Sequence, residues 1–449
     1  MRRKTGFRKG AGFFTMIAIL LFSVLPVKAA DRLQDVGEKI VIVIDPGHGG
    51  ENEGTKGNGH LEKAMTLTTA QAMYQQLSLY EDVEIHMTRT GDQDLTLKER
   101  AEFAASVEAD FVFSLHYNAS ENHEMFGSEV WVSAFAPFNG YGYQFGYELL
   151  TDMREYGLLV RGIKTRLGDD EDNYYGIIRE SEALGIPAVI IEHCYVDEAR
   201  DEGYCDSEED LQEFGRMDAE AVARYFGLKS SSLGTDYSDY SLAAARESVP
   251  VPITVRDTTK PDICQIKLLD TDYGTGYLSL SVTAADYDSC LLYYSYSLDG
   301  GRTFSARKPW PESDTLTDSY PDTFTLNLLI PTNTCPTVIL RAYNKCDVYT
   351  ESEPYISRQF YHYEEVSDAP EDIAIVQPAE GSEEMPSATP NIEIMELEDL
   401  EQRENSASQE REVSFLEFLL VCLVVVMALF TTLFVSQIIA RPKRKRRRY

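Results

Sequence analysis

Two histidines and two glutamates stand where they could carry out hydrolytic chemistry. His48 lies near the end of IVIDPGHGG at Ile42–Gly50, and His116 lies in SLHYN at Ser114–Asn118. Glu62 falls between them, and Glu192 comes late, in PAVIIEHCYV. Two imidazoles and a carboxylate are a common ligand set for catalytic zinc, with water in the open fourth position. Zinc acidifies that water and polarises a carbonyl oxygen. A further carboxylate that is not a ligand can take the proton and pass it to a leaving amine. His48, Glu62 and His116 can supply the ligands, and Glu192 the base. Each residue alone would mean little. Their joint placement after strand-like runs carries the inference.

The elements that must position them are legible as apolar runs. IVIVID ends in Pro-Gly-His-Gly-Gly, and FVFSLHYN and PAVIIEH repeat the arrangement of a buried strand delivering a side chain to its C-terminal end. Open α/β sheets bind ligands at that edge. The expected strands are Ile40–Asp45, Val83–Thr88, Phe111–His116, Glu129–Ala134 and Ala188–Glu192. Helical patterns cover Ala64–Tyr80, Leu97–Val107, Tyr143–Tyr156 and Glu208–Phe226. This alternation predicts an α/β domain over 39–228, with a mostly parallel twisted sheet flanked by helices.

From Lys39 to Leu228 the chain resembles the zinc-dependent N-acetylmuramoyl-L-alanine amidases of bacterial cell-wall turnover. The matching stretches are IVIDPGHGG, a glutamate (Glu62) that opens a helix, LTLKERAEFA at Leu95–Ala104, SLHYNA and PAVIIE. The resemblance implies zinc at His48, Glu62 and His116, and a catalytic base at Glu192. It also implies peptidoglycan as substrate, cut between N-acetylmuramic acid and the first L-alanine of the stem peptide. The chain departs from the family after the base. The usual Gly-Phe and Ser-Asn pairs are replaced by His193-Cys194-Tyr195-Val196-Asp197-Glu198. Neighbours on a strand point to opposite faces, so His193 is expected to pack or hydrogen-bond behind the site. His60, two residues before Glu62, could substitute as a ligand, whereas His86 and His123 are not expected to serve. Arg179, just before the PAVIIE strand, could fork onto a substrate carboxylate or carbonyl, or form an ordinary salt bridge.

Residues 1–30 have the layout of a signal peptide: a basic cluster, the apolar run Phe13–Val27, then Lys28-Ala29-Ala30. An uncleaved signal anchor is the alternative. Residues 418–440 carry no charged side chain over 23 positions and are followed by the basic tail 441–449. Such a stretch can cross a bilayer with the tail on the cytoplasmic side, against anionic lipid. A single-pass protein of the bacterial cell membrane, with its catalytic domain outside, is expected. The formal charge is −33, although both termini are basic. So acidic a body disfavours nucleic acid and leaves a neutral glycan with short peptides as an acceptable substrate. Nothing in the sequence names a protein partner.

Residues 229–250 read as a linker, and residues 251–363 as an all-β sandwich of immunoglobulin or fibronectin type, with YSYSLDGGRTF as one hairpin. Residues 364–414 are rich in Glu, Pro and Ser and read as a disordered acidic tether. Cys422 falls in the expected span. Of the other cysteines, Cys194–Cys205 is expected to pair by proximity. In a fibronectin-like strand order Cys290–Cys346 is expected to pair, rather than Cys335–Cys346. Two rival functions remain: a zinc peptidase acting on stem peptides, and a catalytically dead wall-binding scaffold whose sandwich carries the function. The intact His-Glu-His-Glu set argues against the second.

Overall fold

A computed structural model describes residues 39–57, 59–242 and 257–361. The expected signal peptide, tether, membrane span and basic tail lie outside these residues. Among the described residues no helix is long and apolar enough to cross a membrane.

The first part alternates strand and helix. In chain order it comprises β1 (Ile40–Pro46), the small hairpin β2 (Lys56–Gly57) and β3 (His60–Leu61), α1 (Glu62–Leu77), β4 (Val83–Met87), α2 (Leu97–Ser106), β5 (Phe111–Asn118) and β6 (Ser128–Trp131). Then follow α3 (Phe138–Tyr156), β7 (Val160–Lys164), α4 (Gly176–Ala183), β8 (Ala188–Tyr195), the short α5 (Ala199–Glu202) and α6 (Glu208–Phe226). The sheet order is β4-β1-β5-β8-β6-β7. All neighbours are parallel except β6 and β8. The mostly parallel sheet with flanking helices is thus observed.

The two-residue period of the strands divides the core between two faces. Ile42, Ile44, Phe111, Phe113, Val189 and Ile191 pack on one side with side chains of α1, α3 and α6, including Met73, Phe145 and Val222. Val43, Val112, Ala188 and Ile190 pack on the other with Ala104 of α2 and Ile177 and Ile178 of α4. The central strands are buried on both faces, which is why they read as unbroken β-branched and aromatic runs. Helix α2 starts where Thr96 and Glu99 cap each other, and α6 where Ser207 and Asp210 do the same.

The segment from residue 229, expected as linker, instead forms a hairpin of β9 (Lys229–Ser230) and β10 (Thr235–Asp236). Ser230 is buried and Tyr237 packs against the main core, so the hairpin belongs to this domain.

The second part is all β: β11 (Ile263–Asp272), β12 (Tyr277–Ala285), β13 (Leu291–Ser297), β14 (Lys308–Pro309), β15 (Thr323–Leu329), β16 (Thr337–Asn344), β17 (Tyr349–Glu351) and β18 (Tyr355–Ile356). One antiparallel sheet is β11-β12-β15; the other is β14-β13-β16-β17, with β18 also on β16. Leu278, Leu280 and Val282 of the first share a core with Val338, Leu340 and Ala342 of the second, closed by Trp310 and Phe360.

This module docks on the β7 side of the first part. Phe126 and Leu159 pack with Leu292, Tyr293 and Tyr343. Arg161, 1% exposed, joins the two. Its Nε donates to Glu129 at 2.8 Å, one terminal nitrogen to the Tyr293 hydroxyl at 2.7 Å and the other to Asp347 at 2.7 Å. All six cysteines among the described residues are free thiols, so neither expected disulfide forms. The Cys290 thiol lies against the Ser313 hydroxyl and the Leu291 carbonyl, whereas Cys194 and Cys205 neighbour each other as thiols.

Candidate metal centre and active site

The site is assembled at the C-terminal ends of β1 and β5 and at the start of α1. β1 ends in Pro46, and the chain turns sharply through His48 (φ 60°) and Gly49 (φ 127°). Gly47 permits close approach: a Cβ there would lie 2.3 Å from the His116 ring. Gly54 does the same on the other side, where a Cβ would meet the Glu62 carboxylate at 2.5 Å. These two glycines let the loop close over the three expected ligands.

Glu62 is the first residue of α1 and is 2% exposed. Its Oε2 lies 3.0 Å from His48 Nε2, and its Oε1 lies 2.9 Å from His116 Nδ1. Backbone N–H groups of Thr55 and Tyr117 donate to the same two oxygens at 2.7 and 3.0 Å. Burial alone would raise this carboxyl, but the two imidazoles hold it far below the usual carboxylate range. Burial likewise opposes a charged His48 and is the largest single effect, but the hydrogen bond and charge of Glu62 with the Asn52 hydrogen bond together outweigh it and raise the imidazole.

The ligand-competent atoms of His48, Glu62 and His116 lie within 4.8 Å of one another, and among the described residues only these three form such a group. Asn52 Oδ1 sits 2.9 Å from His48 Nδ1, so Nδ1 is occupied and Nε2 is turned inward. Three convergent N and O donors, one held by an outer hydrogen bond, fit a zinc-type ion.

His116 and Glu192 are register partners across β5 and β8. By strand alternation both point to the face that carries Val112 and Ile190, so the expected base sits beside an expected ligand. Oε2 of Glu192 is enclosed and makes no hydrogen bond within the protein. Burial, then the charges of Glu62 and Glu129, push this carboxyl well above its ordinary value. A carboxyl short of partners and poised to hold a proton suits general acid–base work.

His193 takes the opposite face, as expected. It is fully buried, with Nδ1 2.9 Å from the His116 carbonyl and Nε2 2.9 Å from Asp218. It braces the backbone of His116 and does not enter the site. His60 lies in the β2–β3 hairpin outside the cluster. His86 pairs with Glu84 and His123 with Asp197, so neither is a ligand.

Arg179 stands in α4, because Gly176–Ala183 forms a helix ahead of β8. One terminal nitrogen donates to the carbonyls of Asn173 and Tyr174, and Nε faces Asp172 and Glu180. Its guanidinium thus braces a loop.

Several supporting residues were not singled out from the sequence. Asp45 is fully buried, and Arg100, Thr88 and Ser114 all donate to it. Arg100 also donates to the carbonyls of Pro46 and His48, and Arg89 to those of Pro46 and Gly47. The His48 turn is therefore clamped by two arginines. The Asp-Pro pair in IVIDPGHGG and the arginine in LKER were the available signals. Glu129, the register partner of Glu192 on β6, is buried among Arg161, Lys164 and Asn118. Burial would raise it, but the two cations hold it down at about 2.

Comparison with known proteins agrees with this geometry. Residues 42–224 match the family model described as N-acetylmuramoyl-L-alanine amidase. The chain is 33% identical over 196 residues to the N-acetylmuramoyl-L-alanine amidase CwlM of Bacillus licheniformis, spanning 43% of this chain and 71% of that protein. It is 32% identical over 194 residues to the sporulation-specific N-acetylmuramoyl-L-alanine amidase of Bacillus subtilis, again 43% and 71% of the two chains. Among solved structures, the catalytic domain of CwlV from Bacillus (Paenibacillus) polymyxa var. colistinus aligns at 26% identity and a TM-score of 0.37, covering 42% of this chain and 99% of that one.

Proposed function

Because this chain belongs to the N-acetylmuramoyl-L-alanine amidase family, we propose that it hydrolyses the amide between N-acetylmuramic acid and the L-alanine of the peptidoglycan stem peptide. The observation that carries the reading is the convergence of His48, Glu62 and His116 within 4.8 Å, with Glu192 in register beside His116.

His48 Nε2, His116 Nδ1 and the Glu62 carboxylate would hold the metal, and two borderline imidazole nitrogens with one carboxylate oxygen are a set that suits zinc. Bound there, zinc supplies Lewis acidity toward the amide carbonyl and the attacking water. The protein supplies the rest. Asn52 orients the His48 imidazole, Glu62 the His116 imidazole, and the His193 contact with the His116 carbonyl braces the strand that carries it. The Arg89 and Arg100 clamp holds the His48 loop at the sheet edge. Glu192 takes the proton of the attacking water on its raised carboxyl and returns it to the departing alanine nitrogen. That proton return matters because an amine leaves an amide only once it is protonated.

We read residues 257–361 as a sandwich of the immunoglobulin or fibronectin kind; two sheets on one core support this. We also place the catalytic domain outside the bacterial membrane, held by residues 418–440. The apolar run followed by seven basic residues in 441–449 supports that placement.

The test uses purified chain on isolated cell-wall sacculi. Soluble stem peptides with free N-terminal alanine should appear, vanish on chelation and return with stoichiometric zinc. His116→Ala should lose zinc and activity together. Full zinc occupancy in that variant would show the ligand set to be wrong.

A further inference from the structure

Beyond Glu192, on the side away from His48, a cavity of about 400 Å³ opens between the catalytic domain and the β module. Its lining comes from both: Arg166 and Tyr175 from the first, Arg307 and Asp347 from the second. It adjoins the reacting centre. Glu129 in its wall is the register partner of Glu192, and the Tyr175 hydroxyl feels the charge of both glutamates.

Most charges in this cavity are already answered. Glu129 is held by Arg161 and Lys164, and Asp347 by Arg161 and Arg307. Two guanidinium groups keep donors to spare: Arg307, although one terminal nitrogen holds Asp347 at 3.0 Å, and Arg166, although it also bonds the Tyr175 hydroxyl. Arg166 lies 3.5 Å over the Tyr174 ring and, among the described residues, pairs with no carboxylate. Arg307 is 8% exposed, yet its Nε makes no hydrogen bond. A Glu124 carboxylate oxygen lies 3.7 Å from that Nε, on a side chain 45% exposed and so screened by solvent. A buried guanidinium nitrogen without a partner is costly unless something completes it. In a chain of net charge −33, this unpartnered Nε and the half-buried Arg166, converging from two domains, stand out.

We propose that this cavity is a carboxylate subsite for the stem peptide, with Arg166 and Arg307 as the recognising cations. The proposal rests on the amidase reading, which places the peptide on one side of Glu192. The glycan is neutral, whereas the residues beyond the first alanine carry carboxylates; Glu121, Glu124, Glu129 and Asp347 balance four cations in the lining, so it is the spare donors of Arg166 and Arg307, and not a net positive charge, that mark this as the peptide side. Planar guanidinium groups bind carboxylates in forked geometry. The β module thus acts as part of the substrate cleft and selects peptides by charge.

The experiment compares synthetic muramoyl peptides that differ in one group. The residue after alanine bears a free carboxyl or its amide, and a second pair varies the next carboxyl along. The intact chain should prefer at least one free acid about tenfold in kcat/KM, as for a hydrogen bond to a charged group. Arg307→Gln and Arg166→Gln should each raise KM for that free acid and erase the preference. Arg166→Gln breaks no ion pair at the domain junction, so it separates recognition from folding. Calorimetric titration of the free stem peptides reads the same preference without turnover. Equal treatment of acid and amide by the intact chain overturns the subsite, as does a preference that survives in both variants. Charge-selective binding without release of stem peptide would instead uphold the subsite and defeat the amidase reading.

Discussion

Replacing Glu192 by Gln should separate catalysis from metal binding and from folding. The substitution keeps the side chain's size but removes its ability to take a proton. Oε2 bonds nothing in the protein, so an amide nitrogen there forfeits no internal hydrogen bond. The general-base contribution is on the order of 100-fold to 10,000-fold, so turnover should fall by at least ~100-fold. Zinc content should hold, because the cluster formed by His48, Glu62 and His116 is untouched. Stability should rise. Burial and the charges of Glu62 and Glu129 raise the Glu192 carboxyl above its ordinary value of 4.5. Its contribution to the fold is therefore complete below about pH 4.5 and is lost as pH rises through the folded-state value. Gln escapes that loss, so the metal-free variant should outlast its parent in denaturant at neutral pH and differ little in acid. Elemental analysis, urea melts at two pH values and a muropeptide turnover assay read all three effects. A variant that loses zinc would make Glu192 a ligand. One that keeps near-native turnover would remove it from the chemistry.

Arg161→Met should destabilise the chain by about 3 kcal/mol, the lower part of the range for breaking a buried pair. Lys164 still holds Glu129 and Arg307 still holds Asp347; a urea-melt difference near zero would mean that the junction carries no stability. Burial raises the Asp201 carboxyl from 3.8 to about 6, despite N–H bonds from Gly127 and Tyr195. Its contribution is complete below about 3.8 and lost as pH rises through about 6, so Asp201→Asn should raise the melting midpoint at around pH 8 but hardly at around pH 4. A uniform gain or loss across that range would refute the assignment.

What the sequence made legible follows from burial. β1, β5 and β8 are covered on both faces, so their apolar runs stand out, and the side chains at their ends follow from them. Glu62 was readable because it begins α1. β7 was missed because Arg161 and Lys164 turn inward to Glu129 and break its apolar pattern. The first turns of α3 were missed because Asn139, Gly140 and Gly142 are weak helix formers. Packing decides there, since a Cβ on Gly142 would lie 2.8 Å from Val132. α4, which carries Arg179, was missed as well. Arg89 and Arg100 act through backbone carbonyls more than forty positions away in sequence, a relation that no local pattern reveals.

The central claim is a particular bond cut by a particular water. Digesting sacculi with the purified zinc-loaded chain in heavy-oxygen water, then weighing the products, tests it most directly. One heavy oxygen should appear on the lactyl carboxyl of N-acetylmuramic acid, beside intact, unlabelled stem peptides with a free alanine amine. Heavy oxygen on a peptide carboxyl, with shortened stems, would make the protein a peptidase. The absence of any product would make it a binder.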